Sequence, residues 1–416
     1  MKIQRIIFLF IVFFCMNACG GSEDPIPKTY SLEITVLPAE GGKVEVISSS
    51  NKNSVLDFDN LTEGTSITLK ATAAEGYRFI GWSGDLESTL DELSLTIQWD
   101  TQLIATFRST EDSPVETYGN LAISNGQLVD KNNVPVQLSG MSLFWSQWMG
   151  KYWNENIVDW LTSDWKINII RAAMGVDENN GYLTNKFIEK QKVETIVDAA
   201  ISQGIYVIID WHSHHAENYQ SEAIEFFQQM ATKYKDYPNV IYEIYNEPLN
   251  VSWAGVIKPY AEAVVSAIRA IDPDNIIIVG TPNWSQNVDA VIGNQIQSTN
   301  IAYAFHFYAS EPSHYQNLRN KLEVAISNKI PIFVTEWGVS EASGDGSFNQ
   351  QWTNDWINIL NQHKLSWCNW SVADKDETSA ALLPGASTNG QWSTTELSAS
   401  GIFIRNLLRT NQGFSN

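Results

Sequence analysis

From Tyr118 onward, short apolar runs alternate with longer stretches of helical periodicity, the pattern of a parallel sheet wrapped by helices. The apolar runs are Val134–Gly140, Ile167–Ala172, Tyr206–Trp211, Val240–Tyr245, Ile276–Gly280, Ile301–Phe307, Pro331–Thr335 and Ser366–Trp370. That makes eight in about 300 residues, the number that closes a (β/α)8 TIM barrel. Between them, Asn185–Gln203, Ser221–Lys235, Ser252–Ile271 and Phe348–His363 read as helices. Ile167, Ile169, Val207, Ile209, Ile276, Ile278 and Val334 are assigned to the core.

The chain before Tyr118 has a different texture. Residues 29–108 alternate apolar and polar positions, as in Ser31-Leu32-Glu33-Ile34-Thr35-Val36 and Thr65-Ser66-Ile67-Thr68-Leu69-Lys70, punctuated by Gly, Asn and Asp, and so predict a small β-rich module. Gly41-Gly42-Lys43-Val44, Gly76-Tyr77-Arg78-Phe79-Ile80-Gly81-Trp82-Ser83-Gly84-Asp85 and the closing Ile104-Ala105-Thr106-Phe107 resemble the internalin-type B-repeat. That resemblance implies a spacer or adhesion element, with Trp82 and Trp99 in its core. Ser109–Thr117, with Pro114 and three acids, reads as a linker, and 118–416 as the larger domain.

At the N-terminus, Lys2 and Arg5 precede the apolar run Ile6–Phe14, too short for a permanent span, so residues 1–18 read as a signal peptide. Asn17-Ala18-Cys19-Gly20-Gly21 resembles a bacterial lipobox with Cys19 as the lipidated residue; a plain secretory signal is the other reading. An outer-membrane lipoprotein is expected, touching the membrane only through its lipid anchor. Glu23 and Asp24 resemble an acidic surface-export signal, and surface or periplasmic orientation stays open.

Charge and composition narrow the partners. A net charge of −21 with 26 Lys+Arg and no basic cluster excludes nucleic acid as a partner and fits a neutral substrate. Sixteen Trp is far above the usual count, and Trp stacks well on sugar rings, although core packing also uses it. Cys368 is the lone cysteine after Cys19, so no disulfide is expected in the mature chain. A monomer is expected.

Unusual polar residues fall where six of the eight runs end. Arg171 closes the second run, His212 follows the third, Asn246 and Glu247 follow the fourth, His306 and Tyr308 end the sixth, Glu336 the seventh and Trp370 the eighth. Barrel active sites sit at the C-terminal ends of strands, so these residues are expected on one face. Two glutamates facing each other there suit glycosidic cleavage, one protonating the leaving oxygen while the other attacks the anomeric carbon. Arg171 and Tyr308 suit the role of keeping a nucleophile ionised, and Asn246 is placed to bond a sugar hydroxyl.

Tyr245-Asn246-Glu247-Pro248, Thr335-Glu336-Trp337-Gly338, Asp210-Trp211-His212 and His306-Phe307-Tyr308 resemble glycoside hydrolase family 5. Gly140-Met141-Ser142, Arg171-Ala172-Ala173-Met174, Trp284-Ser285-Gln286 and Asn369-Trp370-Ser371 resemble its bacterial endoglucanase subfamily 2. The resemblance implies a retaining endo-β-1,4-glucanase (cellulase) acting on β-glucan without a cofactor, with Glu247 as acid/base and Glu336 as nucleophile. Arg171, His212, Asn246, His306 and Tyr308 match its supporting residues. Trp370 matches the floor under the cleaved sugar, and Trp148, Trp284, Lys375 and Glu377 match substrate contacts along the cleft. Phe144, where relatives often carry His, and Gly175, where Tyr is common, depart from the pattern near glucose-binding positions.

Three other readings compete. Asp210, His212, His214 and His215 have a metal-like spacing, but no further ligands complete a shell, so no metal is expected and His214 and His215 are assigned to the cleft rim. Another β-1,4-linked polysaccharide, such as mannan, xyloglucan or mixed-linkage glucan, is an alternative substrate. A non-catalytic carbohydrate-binding surface lipoprotein is the alternative of a different class, and the full set of catalytic-type residues argues against it.

Overall fold

The computed structural model describes residues 27–49, 57–88, 90–109 and 113–411. The residues read as a signal peptide, Cys19 and the acids after it lie outside the described residues. The chain divides into two compact units, one formed by Met1–Thr72 with Gly81–Thr106, the other by Ala73–Ile80 with Phe107–Asn416.

The β-rich N-terminal region holds two three-stranded sheets. In one, Leu32–Leu37, Thr101–Ser109 and Tyr77–Gly84 lie in that order; in the other, Gly42–Ser49, Ser66–Ala73 and Glu92–Thr96. The period-two alternation does the work expected of it: along Ser66–Ala73, Ile67, Leu69 and Ala71 are buried and their neighbours are not. Trp82 is buried, its indole N–H donating to the Leu90 carbonyl at 3.1 Å. Trp99, also expected in the core, is instead 49% exposed. Part of the expected linker is helical: Pro114–Tyr118 forms a short helix, capped by Ser113, whose hydroxyl accepts from the Glu116 N–H.

The larger unit is a closed barrel of eight parallel strands: β1 Ser139–Leu143, β2 Ile169–Gly175, β3 Tyr206–His212, β4 Val240–Glu243, β5 Ile277–Val279, β6 Ile301–Tyr308, β7 Ile332–Gly338 and β8 Trp367–Val372. Strand β1 pairs with both β2 and β8, which closes the ring. Helices on its outside include α1 Glu155–Trp160, α2 Lys186–Gln203, α3 Gln220–Tyr234, α4 Lys258–Arg269, α5 Asn317–Ser327, α6 Gln350–Gln362 and α7 Ala399–Asn411. Each turns an apolar stripe to the barrel, as Val193, Ile196, Val197 and Ala200 do on α2.

Four strand boundaries differ from expectation in an instructive way. The first barrel strand begins at Ser139, not Val134. Val136 instead bonds through its N–H to the Leu128 carbonyl of a small hairpin, Ala122–Ser124 with Gln127–Val129, and Leu121, Leu128, Val136 and Leu138 join the cluster that fills the barrel floor. Strands β2, β7 and β8 also run past the polar residues taken to end them, so Arg171, Glu336 and Trp370 sit inside strands. A strand supported on both sides by parallel neighbours need not stop at a polar side chain if that side chain finds partners inside the barrel.

The inward residues lie in layers. Ile169, Ile208, Ile241, Ile278, Ala302, Ala304, Phe333 and Cys368 belong to one buried apolar cluster. The residues two positions further along β2, β3 and β4 are Arg171, Asp210 and Glu243, all fully buried. Along β7 the period breaks: Ala304 pairs with Phe333 but His306 pairs with Glu336, so two residues of β6 span three of β7. This bulge turns consecutive residues, Thr335 and Glu336, toward partners inside the barrel.

Candidate active site

Arg171 is the hub. Its Nε donates to Glu243 Oε2 at 2.7 Å, Nη1 to Glu336 Oε2 at 2.9 Å and Nη2 to Asn246 Oδ1 at 2.6 Å, while Nη2 also lies 2.9 Å from Asp210 Oδ2. Burial disfavours its charge, but Asp210, Glu243 and Glu336 outweigh that and hold the guanidinium firmly protonated. One cation among three carboxyl groups leaves an excess of buried negative charge. Burial accordingly pushes Asp210 up to about 8 and Glu243 up to about 7, against the pull of Arg171.

The chain after β4 delivers Asn246 and Glu247. It is pinned by the Asn246 N–H on the Trp211 carbonyl, the Glu247 N–H on the Ser213 carbonyl, and the Ser285 hydroxyl on the Asn246 carbonyl at 2.7 Å. Because the Asn246 carbonyl oxygen of the side chain faces Arg171, its NH2 group is left to face His212 Nε2 at 3.5 Å. His212 is anchored from the other side, its Nδ1 2.7 Å from Asp210 Oδ2, and burial keeps it neutral.

The two glutamates have different surroundings. Glu336 accepts from Arg171 and, at 2.9 Å, from the Tyr308 hydroxyl, whose own ionisation is opposed by burial and by the charges of Glu336 and Glu247. Glu247 has no such cation in contact. Its Oε1 lies 2.9 Å from His306 Nδ1 and its Oε2 lies 3.6 Å from His214 Nε2. Burial raises Glu247 to about 7, opposed by His214 and Arg171. His306 is pushed down to about 4, chiefly by burial, and is neutral. A carboxylate oxygen of Glu247, a nitrogen of His306 and a carboxylate oxygen of Glu336 lie within 4.8 Å of one another, the one such group among the described residues. Glu336 is already engaged by Arg171 and Tyr308, and His306 by Thr335 on one nitrogen and Glu247 on the other, so the donor set is that of a proton-handling site and does not fit a metal shell.

Aromatic rings line the mouth on either side. Trp370 stacks on His212 with the rings 3° from parallel, Phe144 packs against Trp370 at 5.1 Å, and Trp145 meets the His212 ring edge-on at 4.2 Å. Trp148 is 49% exposed beside Phe144 and Trp145, and Lys375 lies over the Phe144 ring while paired with Glu377 at 2.5 Å. On the other side Trp284, 41% exposed, shares a pocket with Glu247, Gln286, His306, Tyr308 and His314. The two glutamates and the supporting and substrate-contact residues singled out from the sequence are therefore at or beside one mouth. At Gly175 a Cβ would sit 2.0 Å from Gln147 Oε1, so the Gln147 side chain occupies the space.

The sequence reading missed Glu243, Thr335, His314 and Trp145, and placed His214 at the rim when it contacts Glu247. An acid inside the otherwise apolar run Val240–Tyr245 was the available signal for Glu243. Nothing local marks Thr335, because its inward position depends on the bulge.

Residues 129–376 match the family model described as cellulase (glycosyl hydrolase family 5), and residues 32–111 match the divergent InlB B-repeat domain. Endoglucanase Z of Dickeya dadantii is 53% identical over 263 residues, covering 62% of this chain and 61% of its own length. Endoglucanase N of Pectobacterium atrosepticum is 47% identical over 307 residues, covering 73% of this chain and 68% of its own length. The chain spans about six tenths of the length of several curated relatives that it matches, 61%, 57% and 64% for three of them. Among solved structures, one from Cytophaga hutchinsonii is 49% identical with a TM-score of 0.71, covering 73% of this chain and 98% of its own. The catalytic domain of a Thermobifida fusca endoglucanase in complex with cellotetraose is 37% identical with a TM-score of 0.68, covering 71% and 99%. The barrel, the paired glutamates at its mouth and these likenesses agree: the chain belongs to glycoside hydrolase family 5.

Proposed function

We propose that this protein is a retaining endo-β-1,4-glucanase, with Glu336 as nucleophile and Glu247 as acid/base. The observation that carries the reading is the close approach of oxygens from the two carboxyl groups, within 4.8 Å, in unlike surroundings. Retaining enzymes hold their carboxyl pair about 5–5.5 Å apart, whereas inverting ones leave room for a water. Arg171 and Tyr308 supply the donors that a carboxylate nucleophile needs, and burial gives Glu247 the proton that a general acid needs at neutral pH.

In the first step Glu336 Oε attacks the anomeric carbon, the glycosidic C–O bond breaks, and Glu247 passes its proton to the leaving oxygen. In the second, Glu247 takes a proton from water, whose oxygen displaces Glu336. The Asn246 NH2 group is positioned to bond a sugar 2-hydroxyl, and Trp370 to floor the sugar at the cleavage point. The named activity of the relatives supports cellulose-like glucan as the substrate. The test is reducing-sugar release from carboxymethyl-cellulose, mixed-linkage β-glucan, xyloglucan and β-mannan in parallel; preference for the first two is expected, and preference for mannan or xyloglucan moves the substrate while leaving the chemistry.

The N-terminal sequence supports a lipid anchor at Cys19 on an outer-membrane lipoprotein. Fatty-acid labelling should be lost in Cys19→Ala; label that persists there overturns the anchor.

A further inference from the structure

Behind Glu247 runs a file of buried groups that the two chemical steps do not use. Glu247 Oε1 is 2.9 Å from His306 Nδ1; His306 Nε2 is 2.8 Å from Thr335 Oγ1; Thr335 Oγ1 is 2.6 Å from Glu243 Oε1; Glu243 Oε2 is 2.7 Å from Arg171 Nε. Thr335, Glu243 and Arg171 are fully buried, so no water satisfies them from outside.

The charge at its inner end sets the direction of the file. The firmly protonated Arg171 guanidinium, 2.7 Å from Glu243, favours the proton-free form of Glu243, both of whose oxygens then accept, whereas Glu247 has no such cation in contact. The Thr335 hydroxyl has one proton, which goes to the other oxygen of Glu243, and its oxygen is then available only as an acceptor for His306. That places the single N–H of neutral His306 on Nε2 and leaves Nδ1 bare. A bare nitrogen 2.9 Å from a carboxyl oxygen requires the proton to be on Glu247. We propose that Glu243 and Thr335 are positioning residues that lock His306 in its Nε2–H tautomer, and that this tautomer holds the leaving-group proton on Glu247.

The inference rests on Glu247 being the acid/base. It adds a reason why the same group works in both directions. Once Glu247 has given its proton to the leaving oxygen, two acceptors, its carboxylate and His306 Nδ1, face each other, which favours recovery of a proton from the incoming water. The low pKa of His306 accords with a neutral ring throughout. Other charged or titratable groups around Glu247 and His306 are Arg171 from β2, Asp210, His212 and His214 from β3 and the loop after it, Tyr308 from β6 and Glu336 from β7; the comparison below leaves all of them in place.

The test compares Thr335→Val, which keeps the shape but has no hydroxyl, with Thr335→Ser, which keeps the hydroxyl. The readout is the alkaline limb of the kcat/KM–pH profile on an aryl cellobioside with a poor leaving group. In Thr335→Val the His306 ring is free to turn its N–H toward Glu247 and favour the ionised form, so the limb is expected to fall by about 1 pH unit. A dinitrophenyl cellobioside, which needs no proton, should lose little, and Thr335→Ser should match the wild type. An unmoved limb in Thr335→Val, or an equal shift in Thr335→Ser, overturns the proposal. Glu247→Ala separates the two levels: loss confined to poor leaving groups upholds the acid/base reading even if Thr335→Val does nothing, and its absence removes both. If Thr335→Val does not fold, imidazole 15N shifts of the wild-type enzyme decide, with His306 expected as the Nε2–H tautomer and the Nδ1–H tautomer overturning the proposal.

Discussion

The floor and the mouth of the barrel are built on the same eight strands by opposite physics. The floor is a layer of Ile169, Ile208, Ile241, Ile278, Phe333 and their neighbours, whose burial stabilises the fold without any need for partners. Two residues along on β2, β3 and β4, and three along on the bulged β7, the mouth buries Arg171 with Asp210, Glu243 and Glu336, an arrangement whose desolvation cost is met only by its hydrogen bonds. The floor carries stability and the mouth carries chemistry at stability's expense.

The largest effect that tests this contrast is chemical. Glu336→Gln should lower kcat on the order of 10⁴-fold while leaving the thermal midpoint unchanged or higher, as read by steady-state kinetics and calorimetry. Near-wild-type activity would undo the assignment of the mouth. Arg171→Met is next: it strands three carboxyl groups and should cost about 3–5 kcal/mol in urea unfolding at pH 8, a deficit that shrinks toward pH 5 as Asp210 and Glu243 take up protons. Phe333→Ala in the floor should cost a similar ~3–5 kcal/mol, but equally at both pH values. If the two variants show the same pH dependence, the division between floor and mouth is wrong.

A smaller effect is expected in the unaltered protein. Folding raises Glu243 and Glu247 from 4.5 to about 7 and Asp210 from 3.8 to about 8. The folded state therefore binds more protons than the unfolded chain between these limits. Their contribution to stability is complete below the unfolded values and is lost as pH rises through 7 to 8. Calorimetry should give a higher midpoint at pH 5.5 than at pH 8; Asp374, held low by its bond to Lys151 despite burial, loses its contribution only below 3.8 and leaves this window unchanged. The smallest expected change is Ile278→Val in the floor, about 0.5–1.5 kcal/mol with unchanged kcat.

How far the site was legible depended on the period of each strand. Arg171 stands out because it interrupts an apolar run, and His212, Tyr308 and Asn246 with Glu247 because they follow one. Glu243 interrupts a run in the same way and went unread, since attention fell on the run's end. In the N-terminal region the alternating pattern located the strands, but Trp99, placed in the core by the B-repeat resemblance, lies in the turn between Glu92–Thr96 and Thr101–Ser109, where a large apolar side chain has no sheet face to cover it.

The order of apolar runs and helices, and the kinds of residues near the strand ends, were determined by the sequence, because burial of both faces of a parallel barrel strand and of one face of each covering helix is a local requirement. Which of those residues meet was decided by tertiary structure. The bulge in β7 turns both Thr335 and Glu336 to partners inside the barrel, and ring closure brings Arg171 of β2 against Glu336 of β7 across 165 residues of sequence. Period two allows only one of two consecutive residues to face inward, so the extra residue that the ladder absorbs there, and the proton path that follows from it, exist only once the neighbouring strands set the register.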